Sequence, residues 1–157
     1  MTHRVLFVCL GNICRSPLAE AAFRAEAARL GLAVEADSAG TGGWHRGEPP
    51  DRRAIAAARR NGVDISRLRA RQVQPGDFER FDQIIALDGE NLMDLRALRP
   101  AGSRARLSLL LDHVPGREGE AVADPYYGGD GDFDITWRDV TAGARGLADE
   151  LQREDAE

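Results

Sequence analysis

Residues 9 to 16 read CLGNICRS, and they hold both cysteines of the chain. Cys9 precedes Arg15 by six positions, with Gly11 and Asn12 between them, and a serine follows the arginine. Glycine and asparagine best tolerate positive φ, the backbone state that turns successive N–H groups toward one point. Such amides, at the start of a helix whose dipole adds partial positive charge, suit a dianionic phosphate. Arg15 brings a planar guanidinium that can hold two phosphoryl oxygens together, which lysine cannot copy. The same field favours Cys9 as thiolate, and a thiolate under a bound phosphate can attack phosphorus in line. The Ser16 hydroxyl is within sequence reach to hydrogen-bond that sulfur. Residues Leu10, Gly11, Asn12, Ile13, Cys14, Arg15 and Ser16 are therefore the candidate phosphate-binding turn.

Spacing alone is weak support. With 21 arginines among 157 residues, one of two cysteines has an arginine six positions on by chance roughly one time in four. The context strengthens the reading. Arg4 to Cys9 is a short, continuous apolar run, the form of a central strand covered on both faces. Ser16 and Pro17 read as helix N-cap and first helical position, leading into LAEAAFRAEAARLG, which Gly31 ends. Strand, tight turn and helix would thus place the turn at a strand's carboxyl end.

Further along, residues 33–38 alternate as a second strand, and a Gly/Pro loop leads to the helix RRAIAAARRNG. QIIAL at 83–87 and RLSLLLDHV supply a third and a fourth strand, separated by a helix on which Leu92, Leu95 and Leu98 recur. Trp137, Val140, Ala144, Leu147 and Leu151 form the apolar stripe of a last helix, with Trp137 expected in the core. The alternation predicts an α/β three-layer sandwich: a four-stranded parallel sheet, helices on both faces, functional loops at the strands' carboxyl ends. Residues 1–157 show no linker or repeat and read as a single domain.

Composition narrows the function classes. The chain is 43% hydrophobic and 30% charged, with no run long enough to cross a membrane. The apolar stretch near the N-terminus is too short for a secretory leader, so a cytoplasmic location is expected. A net charge of −5, with acidic residues gathered in ADPYYGGDGDFD and ADELQREDAE, argues against nucleic-acid binding. His3, His45 and His113 are scattered, and no Cys/His spacing suits zinc, so no metal or other cofactor is expected. Asp130, Asp132 and Asp134 alternate without the glycine and glutamate of a calcium loop and read as surface or helix capping.

The stretch VLFVCLGNICRSPLAEAAF resembles the N-terminal motif of the low-molecular-weight protein tyrosine phosphatases almost residue for residue. DSAGTGGWHRGEPPD, RARQV, FDQIIALDGENLMDL and ADPYYGG follow in the family's order, so the similarity spans about residues 4 to 151. The resemblance implies a phosphocysteine route to phosphotyrosine hydrolysis, with Cys9 as nucleophile, Arg15 as phosphate clamp, Ser16 as thiolate partner and Asn12 as loop brace. Asp124 would be the general acid, and the pH profile a bell with its optimum on the acid side. Trp44, Tyr126 and Tyr127 would form an aromatic rim, and Cys14 a redox partner that bridges reversibly to Cys9. The implied partner is a tyrosine-phosphorylated protein, including a bacterial tyrosine kinase, met by a monomer or a weakly self-associating protein. Where some relatives carry a histidine before ARQ, this chain has Leu68, so a network supporting the loop is expected to be rearranged.

Plainer readings compete at several positions. Cys14 also fits as a buried structural thiol, Asp124 before Pro125 as a turn former, and the rim aromatics as loop packing. Three rival functions share parts of the pattern. A thioredoxin-coupled arsenate reductase needs relay cysteines, and none follows Cys14. A protein-arginine phosphatase of the same family carries threonine where this chain has Ile13. A non-catalytic phosphate or phosphotyrosine-binding module is expected to have lost Cys9, Arg15 or Asp124, and all three are present.

Overall fold

The computed structural model describes residues 1–157. Its four strands are β1 (His3–Cys9), β2 (Val34–Gly40), β3 (Gln83–Ala86) and β4 (Arg106–Leu109). All pair in parallel, in the order β2-β1-β3-β4. The helices are α1 (Arg15–Leu30), α2 (Arg52–Arg60), the single turn α3 (Asp77–Arg80), α4 (Gly89–Leu98) and the long α5 (Asp130–Ala156). The expected three-layer architecture is what the chain forms.

The apolar run of β1 is explained by its central place. Val5 pairs with Ala36 on one side and Gln83 on the other, so both faces of β1 must be covered. Val5 and Phe7 face one core with Phe23 of α1, Ala57 of α2 and Phe133 and Leu147 of α5. Leu6 and Val8 face the other, against Phe78 of α3 and Leu92 and Leu95 of α4. Phe7 and Phe23 are fully buried with ring centres 5.5 Å apart, and burial of each such ring is worth about 1.5–3 kcal/mol. The chain leaves β1 toward β2 on one side and later returns to β3 on the other. The carboxyl end of β1 is therefore the topological switch point, where a crevice opens in sheets of this kind.

Three expectations need correction. Helix α1 begins at Arg15, with Cys14 as N-cap and no side-chain cap, so Ser16 is not the cap and Pro17 is the third helical residue. The Ser16 hydroxyl is engaged elsewhere, as described below. The run RLSLLLDHV is strand only through Leu109, because Leu110–His113 turns into a 3-10 helix whose Leu110 and Leu111 enter the core. Trp137 is half-buried at the core's margin, and Phe133, one turn earlier, is the aromatic that fills it. Gly31 does end α1, in the left-handed region at φ 69°. Asp132 accepts the Gly129 N–H at 2.9 Å, a capping contact at the start of α5.

Candidate active site

The turn after β1 is built around Asn12, whose φ of 60° is the chain's one non-glycine positive value. A side chain in that state needs local hydrogen bonds to hold it. Asn12 is buried and has them: Nδ2 donates to Ser16 Oγ at 2.8 Å and to Ser38 Oγ at 3.0 Å, while Oδ1 accepts the Arg71 N–H at 3.0 Å. Both amide hydrogens are thereby engaged. Ser16 Oγ, already accepting from Asn12, lies 3.0 Å from Cys9 Sγ and 3.4 Å from the Ala39 carbonyl. Either atom of the Cys9–Ser16 pair can donate when the sulfur is a thiol, and only the hydroxyl can when the sulfur reacts as a thiolate.

The chain of contacts continues behind the loop. Ser38 Oγ donates to Glu20 Oε1 at 2.9 Å, and Arg24 Nε donates to Glu20 Oε2 at 3.0 Å. Burial pushes the Glu20 carboxyl above its ordinary range, and Ser38 and Arg24 oppose that shift. Leu68 packs at the core margin and lines one shallow groove with Glu20 and Arg24. The support network in this chain thus runs Glu20, Ser38, Asn12, Ser16, with Arg24 as Glu20's cationic partner.

Arg15 is buried with its direction fixed. One terminal nitrogen, Nη1, donates to Asp88 Oδ2 at 2.7 Å and to the Val122 carbonyl at 3.0 Å. That leaves the edge formed by Nε and Nη2 to meet an anion in fork geometry. Nη2 lies 3.6 Å from Asp124 Oδ2. The other oxygen, Asp124 Oδ1, accepts the Tyr126 N–H at 3.1 Å, so Oδ2 is the one turned toward Arg15 and the loop. Asp88 also caps α4, its Oδ1 accepting the Asn91 N–H at 2.8 Å.

These residues surround a cavity of about 230 Å³. Of its lining residues Cys9, Ile13, Cys14 and Arg15 are buried, Gly11 and His45 are half-buried, and Leu10, Trp44, Asp124, Tyr126 and Tyr127 are exposed. Asn12 and Ser16, expected in the phosphate-binding turn, do not line the cavity; their side chains are buried behind it. Cys9 is 3% exposed, whereas Trp44 is 72% and Tyr127 96% exposed, a narrow floor beneath an open aromatic entrance. The Tyr126 and Tyr127 rings meet edge to face with centres 5.0 Å apart. Cys14 is a free, buried thiol, and burial, with Asp51, Cys9 and Asp124 adding to it, pushes its pKa well up.

The family model described as low molecular weight phosphotyrosine protein phosphatase matches residues 4–157. This chain belongs to that family. Among its relatives, the low molecular weight protein-tyrosine-phosphatase of Streptomyces coelicolor is 49% identical over 152 residues, 94% of this chain and 92% of that one. The crystal structure of YfkJ from Bacillus subtilis superposes with a TM-score of 0.90 at 43% identity, covering 98% of this chain and 97% of that one. The YwlE arginine phosphatase has the same fold, with a TM-score of 0.86 at 26% identity over 95% of each chain. A low molecular weight phosphotyrosine protein phosphatase is a phosphoric monoester hydrolase, and the loop from Cys9 to Arg15 has the family's spacing.

Sequence reasoning missed Asp88, Ser38 and Glu20. Asp88 had a readable signal, an acid just past an apolar strand, where the sheet's functional ends gather. Glu20 had a fainter one, lying one helical turn after Ser16 on the face of α1 that is buried.

Proposed function

We propose that residues 1–157 form one domain that hydrolyses phosphotyrosine in proteins, and small aryl phosphates, through phosphocysteine. The observation that carries the reading is one cavity lined by Cys9, Arg15 and Asp124, with Arg15 Nη2 and Asp124 Oδ2 3.6 Å apart and the Ser16 hydroxyl behind it, 3.0 Å from Cys9 Sγ. Arg15 and the loop amides of Leu10 to Ser16 hold the phosphoryl oxygens. Cys9 attacks phosphorus, the bond to the phenol oxygen breaks, and Asp124 Oδ2 gives that oxygen its proton. Asp124, now a carboxylate, takes a proton from water as the water attacks phosphocysteine. The phosphorus–sulfur bond breaks, inorganic phosphate leaves, and Ser16 hydrogen-bonds the departing thiolate.

The rim explains the preference for an aromatic ester. Trp44, Tyr126 and Tyr127 line the same cavity as Cys9 and offer aromatic surface to a phenyl ring, which a serine ester lacks. Ile13 lines the cavity with an apolar side chain, which favours the tyrosine branch over the arginine one. Cys14 serves as reversible redox partner of Cys9. The substrate is a tyrosine-phosphorylated protein, with a bacterial tyrosine kinase one such target, acted on in the cytoplasm by a monomer or weakly associating protein.

Hydrolysis of p-nitrophenyl phosphate against pH, with reductant and EDTA, tests this reading for the wild type beside Cys9→Ser. Chelator-resistant turnover with an acid-side optimum, lost in the variant, is expected. Turnover that survives Cys9→Ser, or is absent from freshly reduced protein, overturns it.

A further inference from the structure

Asp124 sits on an irregular segment between Val122 and α5, rich in glycine and exposed along most of its length. Glycines at 128 and 129 leave its backbone free, so a fixed position for Asp124 needs anchors from outside. Two of them come from one side chain. Arg53, on the first turn of α2, donates from Nη2 to the Tyr126 carbonyl at 2.8 Å and from Nη1 to the Gly128 carbonyl at 2.9 Å. Tyr126 is also the residue whose N–H holds Asp124 Oδ1.

The guanidinium is itself locked. Asp51 Oδ1 accepts Arg53 Nε at 3.0 Å, and Asp51 Oδ2 accepts Nη2 at 3.1 Å. One face of the group covers the Phe133 ring at 4.6 Å, and the Tyr126 ring lies 5.8 Å away. Asp51 in turn donates its backbone N–H to the Ile13 carbonyl at 2.8 Å, inside the phosphate loop. A continuous route therefore leads from the loop under the phosphate, through Asp51 and Arg53, to the segment bearing Asp124. Arg53 does not line the cavity.

We propose that Arg53 is a positioning residue for proton transfer, fixing Asp124 relative to the phosphate loop through the carbonyls of Tyr126 and Gly128. The proposal rests on the reading of Asp124 as general acid. Proton transfer needs donor and acceptor at hydrogen-bond distance, and displacement by a fraction of an ångström forfeits much of it. Arginine suits the role because its fork serves two carbonyls and a carboxylate together, whereas a lysine ammonium cannot span them.

The test is kcat/KM across aryl phosphates, from 2,4-dinitrophenyl through 4-nitrophenyl to phenyl phosphate, for wild type, Arg53→Ala, Arg53→Lys and Asp124→Asn. A general acid matters most when the leaving group is most basic. Asp124→Asn is expected to fall steeply toward phenyl phosphate. Arg53→Ala is expected to follow the same trend, losing about tenfold or more on phenyl phosphate and under threefold on the dinitrophenyl ester. Inhibition by inorganic phosphate should stay within about twofold of wild type, and Arg53→Lys should not restore the slope. If Arg53→Ala does not fold, Arg53→Gln takes its place. A uniform loss across the series, or none, with Asp124→Asn still steep, overturns the role of Arg53 alone. A flat series for Asp124→Asn overturns the general-acid reading and the proposal with it.

Discussion

Removing one oxygen atom, in Ser16→Ala, probes the chemistry most directly. The Ser16 side chain is fully buried, accepts from Asn12 at 2.8 Å, and faces Cys9 Sγ at 3.0 Å. A hydrogen bond to a charged acceptor is worth about 1.5–3 kcal/mol, and each 1.36 kcal/mol is a factor of ten in rate, so a loss of roughly 10- to 150-fold is expected. The two chemical steps should not share that loss equally. In the first, the thiolate is the nucleophile, and the hydroxyl that stabilises it also restrains its attack. In the second, the sulfur leaves, and the hydroxyl helps without a compensating penalty. Breakdown of phosphocysteine is therefore the step that slows, and kcat should fall further than kcat/KM. Rapid mixing with p-nitrophenyl phosphate should show a burst of nitrophenol approaching one per enzyme, then slow turnover. A variant whose kcat stays within threefold of wild type, or whose kcat and kcat/KM fall together without a burst, refutes the assigned direction of that hydrogen bond. Thermal unfolding of the same variant separates this effect from loosening of Asn12, which loses one of its two acceptors.

A methyl group at Gly40 would stand 2.7 Å from the Leu10 carbonyl oxygen and 3.1 Å from the Gly11 carbonyl carbon, both backbone atoms of the phosphate loop. Gly40→Ala should weaken inhibition by inorganic phosphate at least tenfold and cost about 1–3 kcal/mol of stability; wild-type phosphate inhibition would sink that account. Burial holds the Cys14 thiol protonated, so iodoacetate near pH 6.5 should carboxymethylate Cys9 alone, with phosphate protecting; mass spectrometry showing equal labelling of Cys14 contradicts it. Burial raises the Glu26 carboxyl, but hydrogen bonds from Arg145 and Arg29 outweigh this and hold it below its ordinary range. Stability from a depressed carboxyl is present above its unfolded value and lost as pH falls. Urea unfolding should show Glu26→Gln less stable than wild type by up to about 1 kcal/mol at pH 7, because both arginines are exposed, with the gap narrowing as pH falls below about 4.3 and through the native Glu26 value; a gap that widens as the pH is lowered is the contrary result.

The parts of the fold that sequence revealed are those where a local rule and the tertiary demand agree. The unbroken apolar run of β1 announces a strand covered on both faces, and Gly31 marks the end of α1 because only a residue at ease with positive φ can make that turn. The start of α1 misled for the opposite reason. Ser16 and Pro17 have the composition of a helix start, but the Ser16 hydroxyl hydrogen-bonds with Cys9 and Asn12, and α1 begins without a side-chain cap. RLSLLLDHV misled because a buried apolar run has no period by which strand and 3-10 helix differ. In the site, the turn residues were legible as chemistry, since thiol, guanidinium and Gly-Asn have few other reasons to be adjacent. Their supports were not. Glu20, Ser38, Asp88 and Arg53 act across 18 to 75 residues of sequence, through contacts at which a local pattern hints only for Asp88 and Glu20.

The carboxylate of Asp88 has one oxygen on the N–H of Asn91 and the other on Arg15. It is at once the clasp of a helix and the counter-ion of a cationic centre. A lineage under selection for heat tolerance cannot retune the start of α4 at this position without also re-aiming the guanidinium, and a lineage under selection for a new ester cannot shift the guanidinium without fraying α4. Both pressures fall on one side chain, so adaptation of either trait should proceed elsewhere, in the exposed mouth around Trp44 and Tyr127, where substitutions disturb neither.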